Sequence, residues 1–386
     1  YLMSFFSNSK SLGILGGGQL GKMLLYVTRK WDVKTYVLDP SEDCPAKLAC
    51  NFFFKGDLTD FDTVYKFGKQ VEILTIEIEN VNVEALKKLE KEGIKVFPQS
   101  NVIRIIKNKC IQKEFFKKNK IPTSNFTTYK SIDQIKKDLL NKKITIPFIW
   151  KSAESGYDGY GVKAIYSEND IELLKEQESL VEEFIEIEKE LAIIVSRSEN
   201  GQVDSFPVLE MKFNDDINQV EYVLCPARID KKISQEAKNI SYKVSECLNH
   251  VGLIVVELFL TTNGDIIVNE IAPRPHNSGH LTIESCYTCQ FEQHIRAILN
   301  LPLGNSKMKT PAVMVNLIGN ENHTGPVYYK NIDQILAIDS VIPHIYGKKE
   351  TRPYRKMGHV TVLDSQIQKA LQIAKKIKKT IKVISK

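Results

Sequence analysis

Disulfide scaffolding, membrane-spanning runs, repeats and low-complexity tracts are all missing from this 386-residue sequence, and each absence removes a class of protein. Its seven cysteines are odd in number and scattered through expected strands and helices. A disulfide framework is therefore not the organising device, and a reducing cytoplasm is the expected setting. Cys286 and Cys289 form one CxxC pair, but no second pair of ligands stands at zinc spacing, so they read as ordinary thiols. No apolar run reaches the roughly 18–20 residues of a membrane span, and the longest candidate, 251–260, is cut by Glu257. The start does not read as a secretion signal, because residues 12–15 run straight into a glycine turn with no small-residue cleavage site. A block of one charge is missing too. The formal net charge is +6, yet lysines interleave with glutamates, as in Lys87-Lys88-Leu89-Glu90-Lys91-Glu92. That pattern marks solvated helix faces rather than a nucleic-acid surface.

What is present is 42% hydrophobic and 26% charged residues, enough for two or three compact domains with their own cores. Over residues 12–106, short apolar runs at 12–15, 35–38, 52–54, 73–76 and 95–97 alternate with charged, helix-compatible stretches. This is the βαβ rhythm of a parallel sheet with crossover helices. A helix over 108–120 is ended by Pro122, and a small α+β lid with strands near 148–151, 162–165 and 180–183 follows. Strands are expected at 191–196, 205–209 and 219–225, then a helix over 234–251. Next come two strands at 254–260 and 266–271, whose Asn263-Gly264 connection predicts an antiparallel hairpin. A Pro/Gly/Lys linker at 302–311 precedes a small β-rich segment ending in a basic amphipathic helix.

Five stretches carry polar residues where chemistry needs them. Gly16-Gly17-Gly18-Gln19-Leu20-Gly21 follows a strand and opens a helix. Its GxGxxG spacing, with Asp39 ending the next strand, is open to a dinucleotide reading and, more favourably, to phosphate-ester binding on backbone N–H groups. Lys151-Ser152-Ala153-Glu154-Ser155-Gly156-Tyr157-Asp158-Gly159-Tyr160-Gly161-Val162 is either a flexible hairpin that folds over a polyphosphate or an exposed turn. Glu257 and Glu270 sit inside apolar strands, where a carboxylate is costly unless compensated. Straddling one hairpin turn, they can face each other and, with Asn269 as a neutral oxygen, suit magnesium that also touches ATP phosphates; the alternative is a buried arginine partner. Directly after, Ala272-Pro273-Arg274-Pro275-His276-Asn277-Ser278-Gly279-His280 is dense in donors, with Arg274 fit to grip an oxyanion and His276 and Asn277 to orient a polar substrate. Arg352, Arg355 and Lys356 form either a phosphate clamp or a basic surface turn.

Together with Thr75-Ile76-Glu77-Ile78-Glu79-Asn80-Val81 and Val181-Glu182-Glu183-Phe184-Ile185, these stretches resemble the ATP-grasp superfamily, and within it the 5-(carboxyamino)imidazole ribonucleotide synthetases of purine biosynthesis. The resemblance spans nearly the whole chain. It implies an α/β and α+β architecture: a biotin-carboxylase-like, Rossmann-like parallel-sheet domain over 1–106, an ATP-grasp domain over 107–305 with its lid at about 122–188, and a β-rich C-terminal domain over 306–386, usually as a homodimer. It implies a carbon–nitrogen ligase that uses ATP, bicarbonate and aminoimidazole ribonucleotide, with Mg2+ or Mn2+, and neither nucleic acid nor membrane as partner.

The resemblance also assigns roles by position. Lys109, Lys151 and the loop from Gly156 through Tyr157, Asp158, Gly159, Tyr160 and Gly161 to Val162 meet ATP phosphates. Glu182, Glu183, Phe184 and Ile185 meet adenine, Glu190 meets ribose, and Asn269 and Glu270 complete the nucleotide site, with Glu257 and Glu270 on the metal. Arg274, His276 and Asp158 act on the reacting groups. Gly18, Gln19, Leu20, Glu77, Asn277, Arg352, Arg355 and Lys356 hold the second nucleotide. Tyr160 stands where many relatives carry a cation, Lys109 where some carry arginine, and Phe213 where several carry histidine. The rival readings are another ligase of the same fold, an NAD-dependent dehydrogenase, and a non-catalytic nucleic-acid-binding scaffold.

Overall fold

The βαβ rhythm of the N-terminal third resolves into five parallel strands in the order Phe52–Lys55, Lys34–Asp39, Ser11–Leu15, Ile73–Ile76, Lys95–Phe97. A computed structural model describes this region and the rest of the chain at residues 10–154, 161–214 and 219–386. Leu12, Ile14 and Leu15 of the central strand are fully buried, as expected where crossover helices cover both faces of a parallel sheet. The strands that follow it in sequence lie on opposite sides of it, so its carboxyl end is a topological switch point, where open α/β sheets form a ligand crevice. Gly16, with φ +98°, turns the chain there into helix Gln19–Lys30.

Helix Lys109–Lys118, capped by Asn108 accepting from the Ile111 N–H, leads into the lid. The lid is a four-stranded antiparallel sheet in the order Phe126–Tyr129, Ser179–Glu183, Phe148–Ser152, Val162–Ile165. Beneath it runs a nine-stranded sheet whose edge is the hairpin Gly252–Thr261 and Ile266–Ala272, with Gly264 at φ +88° in the Asn-Gly turn. Helix Lys231–Leu248 lies in the core beneath, with Ala237, Ile240, Val244 and Leu248 facing Ile193, Val195 and Val256.

Two expectations need correction. The strand expected at 205–209 is two strands, Val203–Ser205 and Leu209–Asn214, because Pro207 between them offers no N–H to a ladder. The C-terminal helix Ile367–Thr380 does not end the fold but feeds strand Lys382–Ser385, which pairs with Gly325–Lys330. The central sheet also runs on past the linker: Ala312–Ile318 pairs with Gln219–Cys225 on one side and Lys356–Leu363 on the other.

One core joins the N-terminal, central and C-terminal parts, and the lid keeps its own around Phe148 and Trp150. Leu20, Met23 and Leu24 of the first helix pack with Phe291, Ile295 and Ile298 of helix Gln290–Ile298 and with Tyr346 from the C-terminal segment. Lys22 reinforces the contact by donating to the carbonyls of Ile345 and Tyr346, each at 3.1 Å. Ile295 is fully buried at this junction. Ile295→Ala is expected to cost about 2–5 kcal/mol through lost burial and a residual cavity, read as a lower urea midpoint of the whole chain; an unchanged midpoint contradicts a shared core.

Candidate active site

Three elements bring cations and carboxylates to one place under the lid. Lys109 and Lys113 are one turn apart on the same helix, so both project to one side. In the lid sheet Ile149 pairs with Glu182 and Lys151 with Leu180, which puts Lys151 and Glu182 on one face, diagonally adjacent. The buried Glu182 carboxylate bridges Lys113 at 3.1 Å and Lys151 at 3.0 Å. Burial would raise Glu182, but Lys151 and Lys113 outweigh it and hold the carboxyl below the usual glutamate range. Lys113, which also donates to Thr123 and Ser124, is pushed down to about 8, by burial first and despite Glu182.

The hairpin completes the cluster. Glu257 and Glu270 are direct partners across the antiparallel pair, as the Asn-Gly turn predicts. The ladder skips Asn269, however, since Leu258 pairs with Val268. That bulge matters because a regular strand would point Asn269 and Glu270 to opposite faces. Here Asn269 accepts from Lys151 at 2.8 Å while Glu270 accepts from Lys109 at 2.5 Å, and both lysines bear on the Glu270 charge. Lys109 and Lys151 hold Glu270 low against burial, whereas burial, then Glu270 and Glu190, push Glu257 up. If Glu182, Glu190, Glu257 and Glu270 all ionise, the three lysines leave the cluster one positive charge short.

That deficit, and two facing carboxylates beside an amide oxygen, fit a hard cation completed by phosphate oxygens. Among the described residues no three or more His, Cys, Asp or Glu side chains form a metal cluster of their own. Magnesium commonly takes only one or two carboxylates and draws its remaining ligands from phosphates and water, so the donor set fits such an ion.

Past the hairpin, Arg274 pairs with Glu79 at 2.9 Å and His276 Nε2 lies 3.4 Å from Glu257. Glu79 comes from the loop after strand Ile73–Ile76, so the N-terminal domain reaches the same spot. Two residues earlier, Glu77 accepts from the N–H groups of Gly18 at 2.8 Å and Gly21 at 2.9 Å. Gly17 donates to Asp39 at 2.7 Å. These amides are thus directed at protein carboxylates, which corrects the expectation that the glycine turn offers them to a phosphate. A Cβ on Gly18 would stand 2.6 Å from Glu77, so the glycines admit this carboxylate. Asp39, spent on Gly17, does not stand ready for an NAD ribose.

Other expected residues fall as follows. The buried Asn277 exchanges amide hydrogen bonds with Asn316, 2.9 Å each way, and so bolts the loop to the C-terminal strand rather than facing substrate. The Glu182 backbone pairs on both sides within the sheet and its carboxylate serves lysines, while Phe184 and Ile185 lie beyond the strand end. Glu183 accepts from Asn125. Phe213 packs partly buried on the core around Met211. Arg352, Arg355 and Lys356 lie on a tight turn and the strand it enters, where Tyr354 adopts φ +63°. Gly161 and Val162 close the lid hairpin, the Gly161 carbonyl accepting from Ser152. Gly156, Tyr157, Asp158, Gly159 and Tyr160 lie outside the described residues. Sequence reasoning missed Lys113 and gave Glu79 no role; the four-residue step from Lys109 was the available signal for Lys113.

Comparison with known proteins identifies the family of the whole chain. The ribonucleotide synthetase preATP-grasp domain matches residues 9–107, the ATP-grasp domain 114–291, and the phosphoribosylaminoimidazole carboxylase C-terminal domain 312–373. A chloroplastic phosphoribosylaminoimidazole carboxylase of Vigna aconitifolia is 38% identical over 92% of this chain, and the chain spans 64% of that longer protein. An N5-carboxyaminoimidazole ribonucleotide synthase of Staphylococcus aureus is 36% identical, covering 94% of this chain and 95% of its own. The crystal structure of the N5-carboxyaminoimidazole ribonucleotide synthetase from Thermotoga maritima superposes with TM-score 0.90 at 44% identity, covering 98% of this chain and 100% of its own. An Aspergillus clavatus N5-carboxyaminoimidazole synthase in complex with ADP and 5-aminoimidazole ribonucleotide gives 0.87 at 31%, covering 96% and 98%.

Glu190 yields a stability test. Burial, with help from Glu270 and against Lys151, pushes it up to about 7 from the ordinary 4.5. A carboxyl raised on folding contributes stability that is full below the unfolded value and lost as pH rises through the folded one. Glu190→Gln is therefore expected to stabilise the ligand-free chain at neutral pH by on the order of 1–3 kcal/mol, with no gain in acid. Urea midpoints of both proteins across that range check it, and curves that stay parallel contradict it.

Proposed function

The chain belongs to the N5-carboxyaminoimidazole ribonucleotide synthase family of ATP-grasp proteins, and from that premise we propose that it joins bicarbonate to the amine of 5-aminoimidazole ribonucleotide at the expense of ATP. The products are 5-(carboxyamino)imidazole ribonucleotide, ADP and phosphate, a step of purine biosynthesis. The observation that carries the proposal is the facing pair Glu257 and Glu270, with Glu270 four residues before Arg274, so that a metal–nucleotide site and an oxyanion site would share one continuous strand and loop.

A carboxylate oxygen is a poor electrophile until it is phosphorylated. A bicarbonate oxygen attacks the terminal phosphorus of ATP, ADP departs, and carboxyphosphate forms. Its collapse to carbon dioxide and phosphate beside the amine lets the nitrogen lone pair attack carbon, with Asp158 assigned to the amine and its proton. Lys109 and Lys151 neutralise phosphate charge, and the Arg274 guanidinium turns from Glu79 toward the anionic intermediate. Mg2+, or Mn2+ in its place, held by Glu257 and Glu270, supplies charge neutralisation at the phosphates when bound. Phe184 and Ile185 receive adenine, Glu190 the ribose, and Glu77 with Arg352, Arg355 and Lys356 the second nucleotide.

We assign residues 1–106, 107–305 and 306–386 as the three domains. A cytoplasmic homodimer is proposed on the family likeness; seven cysteines free of disulfides support the reducing compartment. No helix among the described residues is long and apolar enough to cross a membrane.

ADP release is expected to require bicarbonate and aminoimidazole ribonucleotide together. Appreciable release with neither, or none with both, refutes the assignment. Arg274→Lys keeps the charge but loses the planar fork, and is expected to lower kcat by roughly 100-fold while leaving the KM for ATP nearly unchanged; a parallel loss in ATP affinity would move Arg274 to nucleotide binding.

A further inference from the structure

Gln290, the first residue of helix Gln290–Ile298, is fully buried and its amide reaches both backbone polar groups of a single distant residue. Its Oε1 accepts the His276 N–H at 2.9 Å and its Nε2 donates to the His276 carbonyl at 2.8 Å. A flipped amide would set oxygen against oxygen and N–H against N–H, so the two bonds fix its orientation. Nε2 also lies 3.2 Å from His280 Nδ1, beyond the far end of the same loop segment. The Gln290 N–H is tied in turn to Thr282 Oγ1, which donates to the Gly279 carbonyl. Gly279 is required for the fit, since a Cβ there would stand 2.3 Å from Gln290 Oε1.

This contact does what a neighbouring β-strand would do for an irregular segment. The loop from Arg274 to Asn277 has no ladder of its own, yet it must hold the His276 ring beside Glu257 and the Arg274 guanidinium beside Glu79. The helix that carries Gln290 is anchored by Phe291, Ile295 and Ile298 in the core shared with the N-terminal helix. We propose that Gln290 is the positioning residue of this site: its side-chain amide clamps the His276 backbone and so sets the Arg274–His276 pair against Glu257 for the carboxyphosphate step. The role rests on the reaction proposed above and concerns the intermediate rather than ATP capture.

Gln290→Met keeps the volume but removes both hydrogen bonds, and Gln290→Glu restores both only while its carboxyl is protonated. In the full chain, Gln290→Met is expected to lower kcat at least about tenfold with the KM for ATP within about twofold, and to shift the ring resonances of His276 in spectra of 13C-histidine-labelled protein. Relative to wild type, Gln290→Glu should lose activity about tenfold or more as the pH rises from about 6 to about 9, because an ionised carboxylate faces the carbonyl with no proton to donate. A folded Gln290→Met with wild-type kcat and unmoved His276 resonances overturns the proposal. If Gln290→Met does not fold, Gln290→Glu decides: a ratio that falls with pH supports the clamp and a flat ratio overturns it. Wild-type ADP release reports on the reaction alone; were it absent, the His276 resonances still decide, moved in support and unmoved against.

Discussion

Two carboxylates placed opposite each other in an antiparallel pair repel, and the lysines around Glu257 and Glu270 are arranged to make that tolerable. Lys109 takes Glu270 directly, and Lys151 takes Asn269 and Glu182, with Lys113 behind them. The compensation is incomplete. Glu257 is pushed toward its protonated form, and Glu190 is raised with it. Perturbed carboxyls of this kind cluster at functional sites, and a stability deficit at such a place is what function commonly demands.

The rest of the fold reads as a means of delivering groups to that pair from three directions. The parallel sheet ends at its switch point with Glu77 capping the glycine turn and Glu79 holding Arg274. The lid supplies Lys151 and Glu182 from adjacent strands. The C-terminal strands are welded into the same central sheet, and Asn316 pins the loop that carries Arg274 and His276. A core of Leu20, Met23, Phe291, Ile295 and Tyr346 joins the parallel-sheet, central and C-terminal parts, while the lid packs around its own cluster of Phe148, Trp150 and Val181.

How much of this was legible in the sequence depends on the range of the interaction. The Glu257–Glu270 register was, because an Asn-Gly turn and alternating burial leave a short hairpin few alternatives. The βαβ rhythm was as well, since each buried parallel strand is a continuous apolar run. Three features were not. The bulge at Asn269 depends on a one-residue skip that no composition rule marks. The partners of Glu182 lie on a helix and a strand far away in sequence. The glycine turn matched a phosphate-binding pattern, yet Glu77 and Asp39 occupy its amides, and only the folded sheet brings them there. Asn277 looked chemical because it sits among donors; its amide is a structural bolt. The strand expected across 205–209 overlooked Pro207, whose missing N–H breaks it in two.

The most direct test of the account is whether the two facing carboxylates hold a divalent ion together with nucleotide. Mn2+ can be titrated, by water-proton relaxation, into wild-type protein saturated with a non-hydrolysable ATP analogue, and likewise into Glu257→Gln and Glu270→Gln. Saturable protein-held Mn2+ in the wild type, weakened at least about tenfold in each variant, is the predicted result. Titrations of both variants that superpose on the wild type would contradict it.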